Sequence, residues 1–254
     1  MESMTRQLSL RMNRRIPFGP WAALAVFAAA WVAVESLSEY ASSRLLTHLQ
    51  FPEVRARVAV GAAFGVGLMW TMFAICLLVL RWRGQTLSDI GWRRPASIRA
   101  WLLTVGLVLL VSAAALLGPI GRSAQLLSDW SFYRISMALA LGGTAGICLE
   151  TIFRGFVMTQ ARDVGFPVVI QILLSAVLCA LVLARLNYSG YPGHPDFWGV
   201  IATTTSSVIL CAAFAIIYVV GRRSLTPAIA AHAAIDMVVE PGLILLAAIG
   251  GAVH

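Results

Sequence analysis

Residues 58–80 read VAVGAAFGVGLMWTMFAICLLVL, an uncharged apolar run closed by Arg57 on one side and Arg81 on the other. A helix needs ~20 largely apolar residues to cross the hydrocarbon core of a bilayer, and this run has both the length and the purity. Outward from it, six further runs follow the same rule, at 21–37, 101–120, 135–158, 167–184, 199–220 and 227–253. The whole chain agrees, since 59% of its 254 residues are hydrophobic and only 12% are charged, well away from the balance of a soluble domain. The sequence therefore predicts an all-α, polytopic transmembrane bundle of about seven spans, with the lipid bilayer as its main partner. One membrane domain is expected over 1–254: a basic arm at 1–20, two N-terminal spans within 21–86, and a core from 87 to 254.

The net charge of +8 comes entirely from arginine among the basic residues, and most arginines sit in short segments beside the spans. With the N-terminus placed in the cytoplasm, 13 of the 19 arginines fall on the cytoplasmic side, which satisfies the positive-inside rule. That reading needs no nucleic-acid partner. It puts a multi-pass protein in the cell's inner (plasma) membrane, with the C-terminus outside after seven spans. The arm imitates a secretory signal, with four arginines and then Pro17, Gly19 and Pro20. The following run is too long for a signal and lacks a convincing cleavage site, so it is expected to stay as the first span. The absence of lysine is a compositional hint of a GC-rich bacterial genome.

Small residues crowd the later spans, at 138–146 and 228–234, where they let helices approach closely in lipid. Pro227 starts the last run at a position where its missing N–H costs nothing. Pro241 and Gly242 are expected to kink or break that run, giving a last span in two pieces. Cys76, Cys148, Cys179 and Cys211 all lie in apolar runs without metal-type spacing and read as ordinary buried thiols. There is no soluble domain and no internal repeat.

Ionisable side chains at membrane depth cost ~2.5–3.5 kcal/mol on insertion scales and are functional candidates by default. Glu35 falls near the outer end of the first span, where an interfacial position accounts for it. Glu150 and Arg154 share a face of the fourth span at i, i+4, and His232, Asp236 and Glu240 repeat that spacing in the seventh. Glu150 with Arg154 reads either as a structural ion pair or as part of a site. His232 with Asp236 can share a divalent ion or orient a water, and Glu150 or Glu240 would have to complete a metal set.

The stretch Glu150-Thr-Ile-Phe153-Arg154-Gly155-Phe156 resembles the E-E-x-x-F-R-G motif of the CAAX-protease and bacteriocin-processing (Abi) family of intramembrane proteins. Leu225-Thr-Pro227-Ala-Ile-Ala-Ala-His232-Ala-Ala-Ile-Asp236 resembles the family's last motif, H-x-x-x-N/D. Leu87-Ser-Asp-Ile-Gly91-Trp92-Arg93-Arg94-Pro95 is similar to the loop ahead of the family core. The resemblance makes 87–254 a core of that type. It implies intramembrane endopeptidase ancestry, with Glu150, Arg154, His232 and Asp236 as site residues. In an active enzyme of this type it also implies a divalent metal such as zinc on His232, Asp236 and Glu150.

Two departures stand against the activity. The first glutamate of the family's pair falls on Leu149, and the second-motif histidine falls on Leu183, with no histidine anywhere in the fifth span. His194 lies eleven residues beyond, in a Gly/Pro-rich loop. A lost base costs roughly 10² to 10⁴ in rate. The leading expectation is thus a catalytically degenerate member that binds or regulates another membrane protein, with no certain cofactor. An active metal-dependent peptidase acting on hydrophobic or prenylated peptides is the alternative. A solute or proton carrier using Arg154, Asp236, Glu240 and the polar run 203–207 is the third reading.

Overall fold

A computed structural model describes residues 19–49, 54–94, 97–117, 132–189 and 197–250. Every expected run is helical over most of its described residues. The helices are α1 (Pro20–Leu49), α2 (Val54–Trp82), α3 (Ile98–Leu117), α4 (Phe132–Leu149), α5 (Met158–Asp163), α6 (Val168–Ser189), α7 (Phe197–Val220) and α8 (Thr226–Gly250). A π-helical stretch, Glu150–Val157, joins α4 to α5, so these three pieces form one rod and the described residues form seven rods. Among the described residues, four rods contain stretches long and apolar enough to cross a membrane, Pro20–Leu45, Val60–Trp82, Ile98–Leu117 and Ala138–Asp163. The other three carry shorter apolar stretches. This is a membrane helical bundle.

The rod of α4, the π stretch and α5 is the axis of the fold: 83% of its spanning window is buried inside the protein, against 11% for α3. Its burial follows from its sequence. Gly142 and Gly146, four residues apart, turn one bare face toward α8. A Cβ on Gly146 would lie 3.0 Å from the Ile229 carbonyl oxygen and 3.1 Å from the Ala233 Cβ, and one on Gly142 3.1 Å from the Asp236 Cβ. The small residues therefore bring α4 and α8 to near backbone contact, as expected of a G-x-x-x-G face in lipid. On the opposite side the π stretch offers aromatic rings to α1, with Phe156 5.2 Å from Phe27 and Phe153 5.9 Å from Trp31. By contrast, α3 buries only Ala100 and Thr104 and turns leucines outward. Thr104 donates 3.0 Å to the Pro227 carbonyl, which fixes α3 against the start of α8.

Two expectations need correction. The last run is not broken at Pro241: α8 runs continuously from Thr226 to Gly250, because a proline removes a single N–H from the ladder and membrane helices tolerate that loss. Glu35 is not at a rim. α1 continues twelve residues past 37 to Leu49, which puts Glu35 mid-helix, where it is buried and partnered. The side chain of Glu240 and the whole of His194 fall outside the described residues.

One end of the bundle is held together by its connections. Arg83 pairs with Asp163 at 3.3 Å, Gln85 donates to the same carboxylate at 3.0 Å, and Gln160 donates to Gln85. Asp89 accepts from the Thr86 backbone and hydroxyl, which holds its carboxyl below the ordinary range. The Leu225 N–H donates 2.9 Å to the Gly91 carbonyl, and Tyr218 donates to the Ile90 carbonyl. Gly91 has φ +105, and a Cβ there would sit 2.5 Å from the Arg223 carbonyl oxygen. Gly91→Ala is therefore expected to cost ~1–3 kcal/mol through backbone strain alone, measured as a lower unfolding midpoint of the purified protein in detergent micelles. An unchanged midpoint would mean that this loop does not dock on the α7–α8 turn.

Candidate functional site

The site is assembled where the π stretch meets α6, α7 and α8. A π turn closes i to i+5 and is often found at functional positions. Here the Met158 N–H bonds back to the Phe153 carbonyl, which also accepts the Ser175 hydroxyl of α6 at 3.0 Å. All eight residues of the stretch are buried, so the charges of Glu150 and Arg154 must be met inside the protein. Glu150 Oε1 accepts from His232 Nδ1 at 2.7 Å and lies 3.1 Å from Arg154 Nη1. His232 Nε2 faces Asp236 Oδ2 at 3.4 Å. The four residues singled out in the sequence thus form one continuous chain, Arg154 to Glu150 to His232 to Asp236.

That chain can be electrically neutral in two ways. With Glu150 ionised and Arg154 charged, His232 and Asp236 are either imidazolium and carboxylate or neutral imidazole and carboxylic acid. The two states differ by one proton between Nε2 and Oδ2, and both leave a net charge of zero, as burial at membrane depth requires. The geometry can hold and shift a proton along α8 without creating an unbalanced charge.

Three further residues complete the surroundings, and sequence reading left them out. Arg154 Nη1 lies 3.2 Å from Cys179 Sγ on α6, and Nη2 donates 2.6 Å to the Cys211 carbonyl on α7. The free thiols of Cys179 and Cys211 lie within hydrogen-bonding reach of each other. Phe214 of α7 stacks on the His232 ring at 4.8 Å and 12° and takes the Arg154 guanidinium over its face at 5.4 Å. Cys179 and Cys211 are both buried free thiols, as expected, but the Cys179 sulfur also contacts the buried cation, whereas Cys211 meets it through its backbone carbonyl. Cys76 and Cys148 are buried free thiols as well. The signal for the first pair lay in three dimensions: an arginine at membrane depth must find acceptors on neighbouring helices.

The positions where the family pattern is broken are apolar in space as well. Leu149 is fully buried in the main hydrophobic cluster and Leu183 packs against the same cluster. The donors present do not fit a divalent ion as they stand. Glu150 Oε1 and both ring nitrogens of His232 are already engaged, and Arg154 brings a positive charge to the carboxylate a metal would need. Among the described residues no three His, Cys, Asp or Glu side chains are grouped to hold a metal ion. Glu150 Oε2, by contrast, is buried with no hydrogen-bond partner, as is Arg154 Nε.

Residues 130–238 match the family model described as Type II CAAX prenyl endopeptidase Rce1-like. This stretch is similar to the CAAX-protease family. The match begins just before α4 and ends two residues after Asp236, so it contains the whole site and leaves α1 to α3 outside. No curated protein and no solved structure matches the chain.

Proposed function

We propose that this CAAX-protease-like membrane protein is a catalytically degenerate member of its family that works as a binding partner or regulator of another membrane protein. One observation carries the reading: the only carboxylate left from the glutamate pair is paired to Arg154 and His232 inside the bundle, while the companion position, Leu149, is sealed in the apolar core. A carboxylate neutralised in this way is a poor base, and a leucine neither accepts a proton nor binds an ion. What remains is a polar knot that fixes four rods against one another and so keeps a surface in shape. The protein is placed in the inner membrane with its N-terminus cytoplasmic. The arginine excess supports this orientation, and labelling of a cysteine introduced at Gly84 from the cytoplasmic side only is the matching test.

One observation favours a second reading, an active endopeptidase for hydrophobic or prenylated peptides: Glu150 Oε2 is buried, unpartnered and next to the His232–Asp236 pair. There Glu150 would accept a proton from a water. Purified protein incubated with prenylated and unprenylated hydrophobic peptides, beside Glu150→Gln, separates the two. The regulatory reading expects no cleavage above the Glu150→Gln background. Cleavage that disappears in Glu150→Gln would overturn it in favour of the peptidase. A carrier using Asp236 would instead show proteoliposome flux that Asp236→Asn abolishes.

A further inference from the structure

The end of the bundle closed by the 83–94 loop is strongly basic. Residues 81–99, 160–166 and 221–225 hold eight arginines against Asp89 and Asp163, a net of +6. Trp21, Trp82 and Trp92 are exposed at this same end, and the edge of Trp21 meets Phe166 in the α5–α6 connection. Exposed tryptophans beside arginines mark the level of lipid headgroups. At this level lies a groove of about 820 Å³ between the last turns of α2 and the loop after it. Ala74, Leu77, Leu78 and Leu80 make its wall, and Arg81 and Gln85 stand at its mouth. Gln85 is committed to Asp163 and Gln160, and Arg83 to Asp163. Arg81 is exposed and has no ion-pair partner among the described residues.

We propose that this groove is a seat for one anionic phospholipid, with an acyl chain along the α2 wall and the headgroup phosphate on Arg81. The chemistry is complementary at both ends. An apolar wall facing the bilayer is covered by a lipid tail in any case, and the uncommitted guanidinium at the mouth, backed by a net charge of +6, selects a negative headgroup. Basic pockets between spans hold anionic lipids by this combination. The site lies on α2, outside the segment that matches the family, and it does not depend on the reading of the polar knot.

The test is native mass spectrometry of the full chain released from detergent micelles doped with phosphatidylglycerol or phosphatidylcholine. The expected result is one phosphatidylglycerol retained in preference to phosphatidylcholine. Arg81→Gln should lower that retention about fivefold, as loss of one arginine's attraction to an anionic headgroup implies. Ala74→Phe, which fills the groove and leaves every charge in place, should lower it comparably. Arg94→Gln, an exposed arginine at the same end but away from the groove, should change it by less than about twofold. Equal retention of the two lipids would overturn the proposal. Equal losses in Arg81→Gln and Arg94→Gln would also overturn it, by reducing the effect to general surface charge. Each variant is checked by its unfolding midpoint without added lipid, and Ala74→Phe keeps the test valid if Arg81→Gln misfolds.

Discussion

Replacing Glu150 with alanine is expected to destabilise the folded protein by ~3–5 kcal/mol, because it leaves the Arg154 guanidinium buried without its counter-charge. Both members of this pair are fully buried, so water cannot take over the lost interaction. The remaining partners of Arg154, a thiol at 3.2 Å and one carbonyl at 2.6 Å, are neutral, and the Phe214 face supplies only ~0.5–2 kcal/mol. The measurement is reversible unfolding in mixed micelles, compared with Glu150→Leu/Arg154→Met. The double change removes both charges at similar volume and should recover most of the loss, since apolar replacement of a buried pair is often neutral or stabilising. A single variant as stable as the parent would mean that the pair is not buried. A double variant as unstable as the single one would mean that His232, not Arg154, is the partner that matters.

Much of this site was legible before any coordinates. Arginine and glutamate four apart in an apolar run share a helix face, so an ion pair was one of the two readings that spacing and solvent offered. His232 and Asp236 followed by the same spacing, and the small residues at 138–146 and 228–234 already marked spans that could approach closely. What could not be read was the join. Nothing in the residue pattern announces that Glu150–Val157 is π-helical. Cysteine in a span reads as a small hydrophobe, so Cys179 and Cys211 gained their meaning only when α6 and α7 placed them on Arg154. Pro241 misled for the opposite reason: a strong local signal for a break gave way to the ladder on either side of it. The polar knot is thus a local pattern on two helices completed by long-range contacts from two others.

The contact between Glu150 and His232 depends on residues that touch neither. Gly142 and Gly146 lie eight and four positions before Glu150 on the same rod, and their bare faces set the distance between α4 and α8. Gly146→Leu is expected to force these rods apart, because the nearest atoms to the new Cβ are the Ile229 carbonyl oxygen at 3.0 Å and the Ala233 nitrogen and Cβ at 3.1 Å. Neither a helix carbonyl nor an alanine methyl can swing aside, so the backbone has to move, at ~1–3 kcal/mol or more for overpacking. Any separation stretches the 2.7 Å bond from His232 to Glu150, so the loss should include part of the polar knot as well. Gly143 is the internal control. It has nothing within 4 Å of its Cβ direction, and Gly143→Ala should be neutral or stabilising by up to ~1 kcal/mol through helix propensity. Unfolding in micelles and monodispersity on size exclusion give the stabilities. The spacing itself is read by the distance between spin labels on α4 and α8: Gly146→Leu should lengthen it and Gly143→Ala should not. If Gly146→Leu and Gly143→Ala behave alike, α4 and α8 are not in near backbone contact, and the 2.7 Å link must be held by the charges alone.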